Sequence, residues 1–284
     1  MIFNYNQNNE VVALLGAGSM GTAIVERIAA NRTILLGDIS EKALAAASEK
    51  LRFSGYAVET MKVDASDKDS IEAFAQKAAS LGPVMYFINT AGASPHQANP
   101  AHIINLDLVG SAYALDSFGK VMARGGAGIL ISSMTGYMLP APLPQEVETA
   151  LTVTESDKLA SLDCLSAEAV PNSGYAYVLA KRANQLRVRK AAIDWGQRGA
   201  RINTISPGIV VTPLAYDEFN AAGEGYQKMI EASPVQRVGN PAEIASAAEF
   251  LLSDKASFIT GTDLLVDGGM IAAIKTGKYN IQLS

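Results

Sequence analysis

Tyr177 and Lys181 lie four residues apart in the stretch Tyr175-Ala-Tyr-Val-Leu-Ala-Lys181. On a helix both side chains leave the same face, about one turn apart. A phenol beside an ammonium is equipped to move a proton, because the positive charge stabilises phenolate and draws the tyrosine pKa down from about 10. Tyr175 is a rival phenol, but it lies six residues before Lys181 and off that face. Two hydroxyls, Ser132 and Ser133, close the apolar run Ile129–Ile131. Cys164 stands alone, and neither histidine, His96 or His102, is near it in sequence. Cys164 reads as a packing residue, the histidines as surface or packing residues, and no metal site is expected.

Elements must bring these groups together. From Val11 short apolar runs alternate with longer helical patterns. Strands are expected at Val11–Leu15, Thr33–Leu36, Ala57–Val63, Val84–Ile88, Gly128–Ser132, Arg201–Ser206 and Leu264–Val266. Helices are expected at Thr22–Ala30, Lys42–Phe53, Lys68–Ser80, Ile103–Ala123, Tyr175–Trp195, Glu218–Glu231 and Pro241–Leu252. The rhythm is that of an α/β fold: a single doubly wound Rossmann domain over residues 1–284, with a mostly parallel sheet of about seven strands. Residues 1–10 and 275–284 read as terminal tails.

Composition narrows the partners. Of 284 residues 49% are hydrophobic and 18% charged, with net charge −5. That acidic balance, without a basic run, argues against nucleic acid and anionic membranes. No apolar run reaches membrane-spanning length, and a single cysteine fits a reducing cytoplasm. A cytoplasmic protein acting on a small molecule is expected.

The turn Gly16-Ala-Gly18-Ser19-Met20-Gly21 sits between the first strand and the first helix, as a dinucleotide fingerprint requires. Its glycines allow a tight turn, close approach of a pyrophosphate and close helix–strand packing. The helix N-terminus offers unpaired N–H groups to the phosphates. Asp38 ends the second strand, where a carboxylate can bind both adenosine ribose hydroxyls and would repel a 2′-phosphate; no Arg or Lys in the glycine turn offsets it. NAD is therefore expected over NADP.

Taken with Asn89-Thr-Ala91-Gly92, Ser132-Ser133-Met-Thr-Gly136, Pro207-Gly208-Ile209-Val-Val-Thr212, Arg237-Val-Gly239-Asn-Pro241 and Val266-Asp267-Gly-Gly269, the chain resembles the short-chain dehydrogenase/reductase family from about Val11 to Gly269. The resemblance implies an oxidoreductase interconverting a secondary alcohol and a ketone, working as a homodimer or homotetramer. Tyr177 would be the acid/base, Lys181 would hold the nicotinamide ribose and lower the tyrosine pKa, and Ser133 would orient the substrate oxygen. Asp64 and Ala65 would meet the adenine. Asn89, Ala91, Gly92, Pro207, Gly208 and Ile209 would line the cofactor, and Thr212 would hold its carboxamide.

Three features depart from the family pattern. The glycine turn has the GxGxxG form rather than TGxxxGxG. Asp107 falls where many members carry an asparagine, with Asn105 as the alternative occupant of that role. An ionised Asp107 near Lys181 would offset the pull on Tyr177 and raise its pKa. Finally, Ser133 and Tyr177 are 44 positions apart, through an acidic insertion over 138–171 similar to one in the bacterial 3α-hydroxysteroid dehydrogenase/carbonyl reductase branch. It could remodel a subunit interface, cover the substrate or be a passive excursion. A pocket lined by the insertion, Ala93–Pro95 and Pro213–Met229 would suit a hydrophobic, steroid-like carbonyl compound. Two other functions stay open: a dehydratase or epimerase using the same Tyr/Lys pair, and a non-catalytic NAD-binding regulator.

Overall fold

In the computed structural model, residues 9–212 and 224–280 are described. Seven strands form one parallel sheet in the order β3-β2-β1-β4-β5-β6-β7. They are β1 (Val11–Leu15), β2 (Thr33–Asp38), β3 (Ala57–Lys62), β4 (Val84–Asn89), β5 (Met122–Ile131), β6 (Arg201–Pro207) and β7 (Asp263–Val266). The strand order reverses between β1 and β4, and ligands of open α/β sheets bind beyond the strand ends at such a point.

Both faces of the sheet are covered, which is why β1 reads as an unbroken apolar run rather than an alternating one. Val12 and Leu14 enter one core with Ile24, Val25, Leu44 and Ala248; Val11, Ala13 and Leu15 enter the other with Phe74, Phe118 and Trp195. The first layer holds α1 (Ser19–Ile28), α2 (Glu41–Phe53) and a later helix over Pro241–Leu252. The second holds α3 (Lys68–Leu81), α5 (Ser111–Val121) and α8 (Ser173–Gln197). Ser40, Asp67 and Asn172 cap α2, α3 and α8 by accepting backbone N–H groups, in keeping with the preference of short polar side chains for N-caps.

Two boundaries differ from expectation. β5 begins at Met122, well before Gly128. The helix expected over Ile103–Ala123 is three pieces: α4 (Pro100–Ile103), a π-helical turn over Ile104–Gly110, and α5. A π turn carries i→i+5 bonding and frequently marks a functional site; periodicity in a sequence cannot reveal it. The helix expected at Glu218–Glu231 is described only as Glu224–Ala232, since residues 213–223 lie outside the described residues.

The insertion carries α6 (Gln145–Val153) and α7 (Ser156–Leu159). Its Leu151, Leu159, Leu165 and Val170 pack with Ile103, Leu108, Ala176 and Leu179 in a third core. Among the described residues no helix is long and apolar enough to cross a membrane.

Candidate active site

Beyond the C-terminal ends of β1, β4, β5 and β6 lies a cleft of about 640 Å³. Ser133, Tyr177, Lys181 and Asp107 all line it, as do Gly18, Ser19, Met20, Gly92, Pro207, Gly208, Ile209 and Thr212. Tyr175 is not among the lining residues; it packs against the third core. The remaining candidates sit beside the cleft. Gly16 and Gly21 back the glycine turn, Asp38 ends β2, Asp64 and Ala65 follow β3, and Asn89 is buried at the end of β4, its Oδ1 accepting from the Ala91 N–H at 3.0 Å.

The glycine turn meets the three demands placed on it. Gly16 has φ +96°, and a Cβ there would strike Ala91 N and Thr90 Oγ1 at 2.7 Å. A Cβ on Gly21 would lie 2.7 Å from Gly16 O, so the helix packs tightly on the turn. At Gly18 a Cβ would meet nothing within 4 Å, leaving open space where a pyrophosphate needs it. α1 starts at Ser19 with no side-chain cap, so its N-terminus keeps donors for an anion. The Ala17 N–H donates to Asp38 Oδ2 and the Ser40 N–H to Oδ1, each at 2.8 Å. Each oxygen has capacity for a further donor such as a ribose hydroxyl. These features fit a dinucleotide. At Asp64 the Ser66 hydroxyl, then its N–H, hold the carboxyl below the usual carboxylate range.

Lys181 and Asp107 form a buried ion pair, Nζ to Oδ2 at 2.9 Å, with side chains 6% and 0% exposed. Burial works against the Lys181 ammonium, but the Asp107 charge, aided by Tyr177, outweighs it and holds the pKa above the ordinary lysine value. The Lys181 ammonium lies 5.1 Å from the Tyr177 ring centre. Asp107 is itself fixed: Oδ1 accepts the Ala93 N–H at 2.8 Å, and its carbonyl accepts Asn184 Nδ2 at 2.8 Å. Asn105 is exposed, so the π turn delivers Asp107, not Asn105, to the lysine.

The two serines separate by their partners. Ser132 Oγ donates to the Lys181 carbonyl at 2.8 Å and so ties β5 to α8. Ser133 Oγ only accepts, from the Thr135 N–H at 3.2 Å, which leaves its hydroxyl hydrogen for a ligand. The turn that follows is held by Gln185 Nε2, donating to Ser133 O at 3.1 Å, and by Tyr137 Oη, donating to Asp263 Oδ2 at 2.6 Å. Burial, then that carboxylate, pushes the Tyr137 phenol up.

One expectation needs correction. No residue of 138–171 lines the cleft among the described residues; the insertion lies along α8 instead. His96 and His102, read as surface or packing residues, are both exposed, and His96 is also among the residues lining the cleft. Ala93, Ser94 and Pro95 do line the cleft; of Pro213–Met229, residues 213–223 are outside the description, and Tyr226 lines it. Sequence reasoning passed over Gln97 and Thr135. Their only signal was position, a few residues beyond the ends of β4 and β5.

Residues 10–143 match the family model described as short chain dehydrogenase, and residues 145–271 one described as enoyl-(acyl carrier protein) reductase. A short-chain dehydrogenase/reductase of Alternaria brassicicola is 38% identical, over 93% of this chain and 97% of that protein. Galactitol 2-dehydrogenase (L-tagatose-forming) of Cereibacter sphaeroides is 30% identical, over 90% and 93%. The 3-alpha-hydroxysteroid dehydrogenase/carbonyl reductase of Comamonas testosteroni is 30% identical, over 66% and 73%.

Proposed function

The chain belongs to the short-chain dehydrogenase/reductase family, oxidoreductases acting on CH–OH groups with a nicotinamide cofactor, and from that premise we propose that it interconverts a secondary alcohol and a ketone using NAD. The observation that carries this reading is the convergence of Ser133, Tyr177 and Lys181 on one cleft beside the glycine turn.

When bound, NAD supplies the hydride acceptor for oxidation, or the donor in its reduced form. Ser133 Oγ holds the substrate oxygen. In oxidation Tyr177 Oη, as phenolate, would take the O–H proton of the alcohol held by Ser133 while the bound cofactor would accept the hydride from the carbinol carbon; in reduction the phenol would return its proton to the ketone oxygen. Lys181 binds the nicotinamide ribose and sets the charge beside the phenol, and Asp107 positions Lys181. Asp38 takes the adenosine ribose hydroxyls and disfavours a 2′-phosphate, which supports NAD over NADP. Asp64 and Ala65 flank the adenine, and Thr212 the carboxamide. A homo-oligomer in the cytoplasm completes the reading.

Tyr177→Phe tests it. NAD-linked turnover is expected to fall by roughly 10²–10⁴-fold, while binding of reduced cofactor, followed by its fluorescence, is retained. Wild-type protein that turns over no alcohol or ketone, or that prefers NADP, would overturn the corresponding part. The similar proteins include one named for a polyol and one named for a steroid, so the substrate class turns on what lines the cleft.

A further inference from the structure

The helix that carries Tyr177 and Lys181 bears another polar side chain on the same side, one turn further on. Gln185 is 3% exposed and takes no part in the proton or hydride steps. Its Nε2 donates to Ser133 O at 3.1 Å and to Ser206 Oγ at 3.0 Å, so both amide hydrogens are engaged. The orientation of the amide follows from chemistry, since a carbonyl oxygen can only accept.

From there the hydrogen bonds lead to a charge. Ser206 Oγ donates to Asp263 Oδ1 at 2.7 Å, where Thr204 Oγ1 also donates at 2.7 Å. Oδ2 of the same carboxylate accepts from Tyr137 Oη at 2.6 Å. Ser133 caps the short turn Met134–Tyr137 and Tyr137 ends it, so both ends of the turn are tied to Asp263 on β7. Ser133, Gln185, Ser206, Asp263 and Tyr137 thereby form a closed circuit.

A 3₁₀ run of four residues has poor hydrogen-bond geometry of its own, so what surrounds it decides where it sits. At Gly136 a Cβ would lie 2.6 Å from Gln185 Nε2 and 3.0 Å from Arg182 N. The turn therefore rests directly on α8, with Gln185 as the polar contact. Ser132 Oγ, donating to Lys181 O, joins β5 to α8 one residue earlier, so that junction persists without Gln185. What Gln185 adds is the placement of Ser133 itself relative to the helix that carries Tyr177.

We propose that Gln185 is a positioning residue for the reaction: it holds Ser133 where its hydroxyl and the Tyr177 phenol meet one substrate oxygen, braced through Ser206 on Asp263. The inference rests on the alcohol–ketone reading of the same cleft. Misplacing a reacting contact by about 1 Å can cost on the order of 10²-fold in rate, while cofactor contacts elsewhere in the cleft are untouched.

Gln185→Met keeps the helix propensity and much of the volume of the side chain but removes both donors. It is compared with wild type, Ser133→Ala and the double variant on whichever alcohol wild type oxidises fastest with NAD. Single turnovers with enzyme in excess over NAD keep slow variants readable. Gln185→Met is expected to slow cofactor reduction by about tenfold or more, with the affinity for reduced cofactor and the acid limb of the pH profile unchanged. In the Ser133→Ala background the same substitution should slow it by about twofold or less, because a residue that works through Ser133 then has nothing left to place. A merely structural role would slow both backgrounds alike. Equal slowing in both, or none in either, overturns the inference and leaves the alcohol–ketone reading standing. Should Gln185→Met fold poorly, Tyr137→Phe cuts the other arm of the circuit at a partly buried site. Its slowing is likewise expected to vanish in the Ser133→Ala background, and slowing that persists there, or none at all, overturns the inference. Absence of turnover with every alcohol and ketone overturns the two readings together.

Discussion

At Lys181 the ammonium lies 2.9 Å from a carboxylate that is wholly buried. A buried pair repays its desolvation only when the geometry is good and the remaining lone pairs are used; the Ala93 N–H serves one oxygen of Asp107, while Oδ2 meets Lys181 as a charge contact outside hydrogen-bond geometry. Because the Lys181 pKa is raised, the stability it contributes is present below the ordinary lysine value and is lost only as pH rises through the folded one. At working pH the pair is therefore intact, and the negative charge cancels part of the field that lysine exerts on the Tyr177 phenol. Asp107→Asn removes the cancellation and leaves the cation to favour phenolate. The acid limb of the alcohol-oxidation pH profile is expected to move down by roughly one unit, read from kcat/KM between pH 6 and 10. Superimposable profiles would show that Asp107 has no part in setting the proton affinity of the site.

At the scale of elements, α6 and α7 are clamped to α8 by Arg187. Its Nη1 donates to Leu151 O at 3.0 Å and Thr154 O at 2.9 Å, and Nη2 to Ser156 Oγ at 3.1 Å. A guanidinium at the end of α6 satisfies carbonyls that a helix C-terminus leaves open and complements its dipole. Ser156 Oγ in turn donates to Asp116 Oδ2 at 2.6 Å, and Arg182 pairs with Glu148. The insertion thus packs against the helix that carries Tyr177 and Lys181 rather than over the cleft. Arg187→Met keeps much of the buried stem but orphans these acceptors, so unfolding stability should fall by about 2–3 kcal/mol. Urea denaturation measures it, and limited proteolysis should find new cuts within 138–171. A variant as stable and as resistant as wild type would mean that apolar packing of Leu151 and Leu159 alone docks the insertion.

For the molecule as a whole, the sheet is the frame that brings distant residues to one edge, and its two cores hold it. Trp195 is fully buried, its Nε1 donating to Leu115 O at 3.0 Å, and its ring occupies the space beside Gly128, where a Cβ would lie 2.6 Å from the indole. One side chain so joins α8, α5 and β5. Trp195→Ala is expected to cost about 3–5 kcal/mol, measured by chemical denaturation followed by circular dichroism, since the chain's single tryptophan is lost. A cost below about 1 kcal/mol would show that the second core does not depend on this ring.

The βαβ rhythm, the glycine turn, Asp38 at a strand end and the Tyr177/Lys181 pair were legible in the sequence, because each is a local signal. Strands buried on both faces must be apolar throughout, a phosphate-binding turn needs glycine, and two residues four apart share a helix face. The same locality explains the family resemblance, whose motifs sit at strand ends in a set order. What tertiary structure alone decided lies between elements. The π turn that brings Asp107 rather than Asn105 to Lys181 depends on packing around Ile104–Gly110, not on a periodicity. That the insertion lies along α8 rather than over the cleft follows from contacts across the fold, the third core and Arg187 among them, and Arg187 in sequence is one more charge on a long helix. That Ser94 and Thr135 end with buried, unpartnered hydroxyls is a statement about every neighbour they lack. A sequence records which groups are present, but which of them go unsatisfied is decided only once the chain has closed around them.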